Sequence, residues 1–304
     1  MQLGIYGLGR MGANMARRLS RGGIEVVAHN RSTAPIDELV AEESNITPAY
    51  SLDEFISALP SPRIVWLMLP SGKVTEDAIT QVLPMLSEGD LLIDGGNSFY
   101  QDTIARAARV QKAGVHYMDV GTSGGVWGLK NGYSLMFGGS DEAAKMITPA
   151  IKVLAPSADH GWGHVGPVGS GHFVKMVHNG IEYGMMQALA EGLDLLRAKK
   201  EFDLDLAQIT ELWRDGSVVQ SWLLDLTAEA LAEQGQELAH IAPVVADSGE
   251  GRWTAKEAID LGVSAPVMTL ALQMRFASQD AEGYGNRLLS LMRNAFGGHA
   301  ITKK

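Results

Sequence analysis

Residues 2–12 read QLGIYGLGRMG, and this stretch decides the fold. Gln2 to Tyr6 has the apolar content of a short buried strand. Gly7-Leu8-Gly9-Arg10-Met11-Gly12 is a GxGxxG turn, and Ala13 to Arg21 continues as a helical run. A glycine motif with a strand before it and a helix after it predicts a dinucleotide site. Gly7 permits the tight turn, Gly9 lets a pyrophosphate approach the backbone, and Gly12 lets helix and strand pack closely. The helix N-terminus then offers N–H groups and partial positive charge to phosphates.

Working outward, Ile24 to His29 reads as the second strand, and its end discriminates between cofactors. A site for NAD would place Asp or Glu there, on the ribose 2′-hydroxyl. The chain has Asn30-Arg31-Ser32 instead. A guanidinium and a hydroxyl suit a 2′-phosphate, so NADP is preferred, with NAD possible. Further strands are expected at Arg63 to Leu69, Asp90 to Asp94, Val115 to Val120, Ser134 to Phe137 and Gly161 to Val165. Helical segments at Val74 to Leu86, Thr103 to Lys112 and Asp141 to Leu154 alternate with them. That alternation predicts an α/β, Rossmann-like, doubly wound parallel sheet.

Three of the strands end in small-residue loops: Leu69-Pro70-Ser71-Gly72, Asp94-Gly95-Gly96-Asn97-Ser98 and Gly121-Thr122-Ser123-Gly124-Gly125. Taken singly, each is an ordinary turn. Together they lie where ligands bind in such sheets, outside the carboxyl ends of the strands. Asn97 supplies both a donor and an acceptor, and Ser123-Gly124-Gly125 supplies a hydroxyl and N–H groups suited to a carboxylate. Leu8, Arg10, Met11, Leu69 and Asn97 join Gly7, Gly9, Gly12, Asn30, Arg31 and Ser32 as candidate cofactor contacts.

After Gly166 the alternation gives way to long helical periods, from Ser170 onward. We therefore expect residues 1–166 to form the dinucleotide-binding domain and 167–304 an all-helical domain, which the family resemblance given below implies is a substrate and dimerisation domain. The second begins with GSGHFVKMVHNGIEY, Gly169 to Tyr183. On a helix, Lys175, His178, Asn179, Glu182 and Tyr183 fall at i, i+3, i+4, i+7 and i+8, on one stripe. A base, an imidazole, an amide, an acid and a phenol in line suggest a cleft wall rather than a solvated face. Later come Arg252 at a helix start, Arg275 within an otherwise apolar helix, and Arg293 and His299 around a short tail. An arginine inside a helix is costly unless paired.

Bulk composition narrows the classes. The 304 residues are 46% hydrophobic and 20% charged, ordinary for globular chains, and carry a net charge of −10. That acidity argues against nucleic acid as a partner, and it requires basic residues to be concentrated locally if the substrate is an anion. With no cysteine there is no thiol nucleophile or disulfide, and no metal-ligand spacing is apparent. No apolar run could span a bilayer and no cleavable leader is seen, so no membrane is expected and the expected location is cytoplasmic.

These residues together resemble the 6-phosphogluconate dehydrogenases (decarboxylating), in their short form, within the β-hydroxyacid dehydrogenase superfamily. Lys175 to Gly184 (KMVHNGIEYG), Asp94 to Ser98 (DGGNS), Ser123 to Gly125 (SGG), Trp253-Thr254 and the Arg293–His299 tail carry the resemblance. It implies oxidative decarboxylation of 6-phospho-D-gluconate to D-ribulose 5-phosphate and CO2, with Lys175 as the catalytic base and Glu182 as the catalytic acid. Asn97, Ser123, Gly124, Gly125, His178 and Asn179 would hold the sugar acid's carboxylate and hydroxyls. Tyr183, Arg252, Arg275 and Arg293 would clamp the phosphate, with His299 at the far end of the substrate. The resemblance also implies a homodimer or homotetramer. Arg252 departs from the lysine usual in longer relatives, and their second helical repeat is not expected in this chain. A non-decarboxylating 3-hydroxyacid dehydrogenase, of 3-hydroxyisobutyrate or tartronate-semialdehyde type, would share Lys175 but need neither Glu182 nor the clamp. A non-catalytic NADP-binding regulatory protein would have no use for Lys175 and Glu182 in register.

Overall fold

In the computed structural model, which describes residues 1–302 apart from the side chain of Phe296, the opening stretch folds as its pattern demands. Strand β1 (Gln2–Tyr6) leads through the glycine turn into α1 (Arg10–Arg21) and back into β2 (Glu25–His29), parallel to β1 with Gly4 opposite Val27. There follow α2 (Ala34–Glu42), β3 (Ile46–Ala49), α3 (Leu52–Ser57), β4 (Ile64–Leu67), α4 (Lys73–Val82), β5 (Leu91–Asp94), α5 (Tyr100–Gln111) and β6 (His116–Ser123). A single turn, α6 (Gly128–Asn131), precedes β7 (Ser134–Gly138), and α7 (Asp141–Leu154) precedes β8 (Trp162–Gly166).

The eight strands lie in the order β3-β2-β1-β4-β5-β6-β7-β8, so the chain winds outward from β1 in both directions. The switch point falls between β1 and β4, where a doubly wound sheet opens its crevice. One face of the sheet packs Leu3 and Ile5 against Met15 and Leu19 of α1 and Ile147 and Ile151 of α7. The other packs Val65 and Leu67 against Phe55, Ile79, Val82 and Val110. Removing any one of these leucine or isoleucine side chains to alanine would cost about 2–5 kcal/mol.

Two features depart from the pattern expected of the sequence. Strand β7 is antiparallel to β6, with Gly121 opposite Met136. The connection, residues 124–133, is shorter than the dozen or so residues a parallel crossover needs. Strand β3 was not legible because Pro48 interrupts it. As the edge strand of the sheet it tolerates a residue with no N–H to donate.

The chain divides into two compact units, Met1–His178 and Asn179–Lys304. Helix α8 (Ser170–Ala198) carries the chain from the first into the second. The second unit continues with α9 (Leu206–Trp213), α10 (Trp222–Gln234), α11 (Glu250–Asp260), α12 (Pro266–Gln279) and α13 (Tyr284–Gly297). Its buried cluster is small, consisting of Tyr183, Ala255, Ala271 and Leu272. Helix α11 meets α8 at two glycines: a Cβ on Gly180 would stand 2.6 Å from Thr254 Cγ2, and one on Gly251 would collide with the Tyr183 ring. Among the described residues, no helix is long and apolar enough to cross a membrane.

Candidate active site

The glycines of the first loop separate into two kinds. Gly7 has φ +106°, and a Cβ there would strike the Met68 carbonyl; a Cβ on Gly12 would strike the Gly7 carbonyl. Those two are explained by the chain's own packing. Gly9 is not, because its backbone is ordinary (φ −67°) and a Cβ would meet nothing within 4 Å. A bare backbone facing open space fits the approach of a pyrophosphate. Helices α3 and α7 are capped by Ser51 and Ser140, whereas α1 has no side-chain cap and no acid in its first turn. Its first N–H groups stay open to an anion. Arg10 is exposed at this helix start, and Met11 is half-buried behind it.

Asn30 braces this loop. Its Oδ1 accepts the Leu8 N–H at 3.0 Å, while its Nδ2 donates to the carbonyl and hydroxyl of Ser32 at 3.1 and 3.0 Å. Arg31 is left exposed at the strand end, near the Tyr6 phenol, which burial pushes up and Arg31 pulls back. These residues fit a dinucleotide with a cation at its ribose end.

The loop after β5 hangs from Asp94, a fully buried carboxylate. It accepts from Gly96 N at 3.1 Å, Ser98 Oγ at 2.9 Å and Arg106 Nη1 at 3.2 Å. Arg106 also donates to Glu76 at 3.1 Å and to the Gly72 carbonyl at 3.2 Å, joining two of the candidate loops. A Cβ on Gly96 would stand 2.5 Å from the carbonyl of half-buried Leu69, so the loops also touch directly. Asn97 is exposed at the loop tip. Sequence reading missed Arg106, although a signal existed: it shares the inward stripe of α5 with Thr103, Ala107 and Val110.

Strand β6 and the start of α8 supply the chemical groups of the first unit. Lys175 is buried, at 9% exposure, which rules out a solvated face. Its Nζ lies 3.4 Å from His178 Nδ1, and His178 Nε2 lies 3.3 Å from Ser123 Oγ. If Nδ1 accepts from the amine, Nε2 carries the hydrogen that Ser123 accepts. Beyond Ser123, Gly124 and Gly125 have φ of +134° and +51°, a conformation that favours glycine and exposes N–H groups. Asp119, also unpredicted, is fully buried and accepts from Gly169 N at 2.6 Å and His172 N at 2.7 Å. Burial pushes its carboxyl above the usual range, while His172 and these two N–H groups hold it back.

In the second unit, Arg275 lays its guanidinium 3.4 Å from the centroid of the Tyr183 ring and donates to the Ala246 carbonyl at 3.0 Å. The Tyr183 hydroxyl is 3.3 Å from Asp247 Oδ1 and 3.1 Å from Ser248 Oγ. Arg252 pairs with Asp247 at 2.9 Å and lies over Phe276. Tyr183, Arg252 and Arg275 are thus gathered around the segment 246–248. Arg293 is exposed on α13 and forms no ion pair among the described residues. His299 is exposed beyond the end of that helix, and Asn179 and Glu182 are half-buried on α8.

Two family models match the chain. The NAD-binding domain of 6-phosphogluconate dehydrogenase matches residues 2–163, and the C-terminal domain of the same enzyme matches residues 171–295. A Haloferax volcanii protein named 6-phosphogluconate dehydrogenase, NAD(+)-dependent, decarboxylating, is 39% identical over 304 residues, covering 100% of this chain and 99% of its own. The NADP(+)-dependent decarboxylating enzyme of Bacillus subtilis is 36% identical over 91% of this chain, which spans only 61% of that longer relative. The structure of Plasmodium falciparum 6-phosphogluconate dehydrogenase, studied apo, with NADP+ and with 6-phosphogluconate, superposes with a TM-score of 0.84. It is 29% identical and covers 100% of this chain and 66% of its own.

Proposed function

The chain belongs to the 6-phosphogluconate dehydrogenase family, and from that premise we propose that it converts 6-phospho-D-gluconate to D-ribulose 5-phosphate and CO2 with reduction of NADP or NAD. The observation that carries the reading is the run from buried Lys175 through half-buried His178 to half-buried Ser123, beside the two positive-φ glycines. It sets a base within reach of a hydroxyl and N–H groups that suit a sugar acid's head.

A dinucleotide held by the Gly7 to Gly12 loop would supply, through its nicotinamide, the acceptor for the hydride leaving C3 of the substrate. Lys175, neutral at that moment, takes the C3 hydroxyl proton. An ordinary lysine has a pKa of about 10.4, and burial disfavours the charged form of such a group. The product is a β-keto acid, and the same amine, now an ammonium, donates a hydrogen bond to the C3 ketone as the C1–C2 bond breaks and C1 departs as CO2. The ammonium stabilises the enolate charge as it develops. Glu182, seven residues along the same helix, then protonates the enediol carbon that was C2 of the substrate and becomes C1 of D-ribulose 5-phosphate. Asn97, Ser123, Gly124, Gly125, His178 and Asn179 hold the carboxylate and hydroxyls.

Tyr183 and Arg275 form the fixed part of the phosphate clamp, and Arg252 joins them by exchanging Asp247 for the phosphate. Gly7 to Gly12, Asn30, Leu69 and Asn97 hold the dinucleotide, and Arg31 with Ser32 takes a 2′-phosphate, which makes NADP the preferred cofactor. The relatives include both NAD- and NADP-dependent enzymes. The interval between the two family matches, residues 164–170, supports a functional boundary near residue 166. Helix α13 exposes Leu288, Leu289, Leu291 and Met292, which supports a homo-oligomer with Arg293 and His299 completing a neighbouring subunit's site. A non-decarboxylating 3-hydroxyacid dehydrogenase would have no use for the clamp.

The test compares initial rates of NADP reduction with 6-phosphogluconate, gluconate and 3-hydroxyisobutyrate. We expect a strong preference for the phosphorylated acid. Preference for 3-hydroxyisobutyrate would overturn the reading.

A further inference from the structure

The first unit builds a seat for Lys175 out of one strand. On β6, Asp119, Gly121 and Ser123 are alternate residues and so face the same side. All three meet α8. The Asp119 carboxylate takes the N–H groups of Gly169 and His172, at the start of the helix. Gly121 lies so close that a Cβ there would stand 2.5 Å from Lys175 Cβ and 3.0 Å from the Gly171 carbonyl. Ser123 reaches His178 at 3.3 Å. Room for the carboxylate is cleared on two sides: a Cβ on Gly138 would stand 2.9 Å from Asp119 Oδ1, and one on Gly171 2.9 Å from Oδ2.

An isolated carboxylate is expensive to bury, and two charge-assisted hydrogen bonds with the positive end of a helix are the compensation found here. A serine could cap a helix at less cost. What a serine on β6 could not do is reach both N–H groups and so fix the helix in rotation as well as along its axis. We infer that Asp119 is a positioning residue for Lys175, holding the first turn of α8 against β6 so that the amine stands at a fixed height above Ser123 and the glycines that follow it. The inference rests on the assignment of Lys175 as the base.

The experiment measures kcat, KM for each substrate and thermal midpoint for Asp119→Asn, in the full-length enzyme. Asparagine keeps the shape but turns one acceptor into a donor facing an N–H. A displacement near 1 Å at a reacting group can cost about 10²-fold in rate. We expect kcat to fall by about that factor well below the variant's melting temperature, with KM for NADP unchanged because the glycine loop is untouched. Unchanged kcat with only a lowered midpoint would reduce Asp119 to a helix cap and overturn the inference. Gly121→Ala, which presses on the Lys175 stem while leaving the carboxylate in place, should give the same split if Asp119→Asn does not fold; full kcat in that variant would equally overturn it. Lys175→Met distinguishes the underlying assignment, since activity retained there would remove the base itself.

Discussion

Nζ of Lys175 stands 3.4 Å from Nδ1 of His178, three residues on along the same helix. The imidazole in turn reaches Ser123, so under the proposed mechanism a proton taken by the amine would have this pair beside it. Replacing Lys175 by Met should lower kcat by about 10²–10⁴, the usual worth of a general base. Lys175→Arg should be as poor, because a guanidinium does not give up its proton. Equilibrium binding of NADP should survive both changes. Glu182→Gln should slow solvent-proton incorporation at C1 of the product more than hydride transfer, which deuterium wash-in at that carbon would measure.

The stacking of Arg275 on Tyr183 predicts an unequal clamp. A cation over an aromatic face is worth about 0.5–2 kcal/mol, and the stack also aims the guanidinium. Arg275→Lys should therefore raise KM for 6-phosphogluconate by about tenfold with little change in kcat. Arg252 is more exposed and already committed to Asp247, so Arg252→Lys should do less. Steady-state kinetics at fixed saturating NADP would show the order, and equal effects would contradict it.

Arg31 should act on one cofactor only. A hydrogen bond to a charged group is worth about 1.5–3 kcal/mol, roughly ten- to a hundredfold in binding. Arg31→Ala should raise KM for NADP on that scale and leave KM for NAD nearly unchanged. A parallel rise for both would place Arg31 at the adenine or pyrophosphate instead.

Glu76 makes stability depend on pH. Burial works against its charge, but Arg109 and Arg106 hold its carboxyl below the usual value of 4.5. A depressed folded pKa means the unfolded chain binds the proton first, so the stabilisation is present above the unfolded value and is lost as pH falls through the folded one. The carboxylate is 40% exposed, so screening keeps the effect below about 1 kcal/mol. Glu76→Gln should lower the urea midpoint at pH 7 and leave it unchanged well below pH 4, a contrast that paired melts would reveal.

How much of this was legible in the sequence depended on whether the signal was local. The glycine turn, the helix bounds at Asp141 to Leu154 and the α8 stripe follow from spacing along one segment, and the structure keeps them. Asp119 was silent because its partners, Gly169 and His172, lie far away in the chain; Arg106 showed its inward position on α5 but not which acid it would meet. A lone Asp in an apolar strand gives no sign of which N–H groups it will meet.

The central claim, oxidation coupled to decarboxylation, is tested most directly by trapping CO2 while following NADP reduction with 6-phosphogluconate in one vessel. The account predicts one CO2 for each cofactor reduced. Reduction without CO2, with a 3-keto acid accumulating, would contradict it.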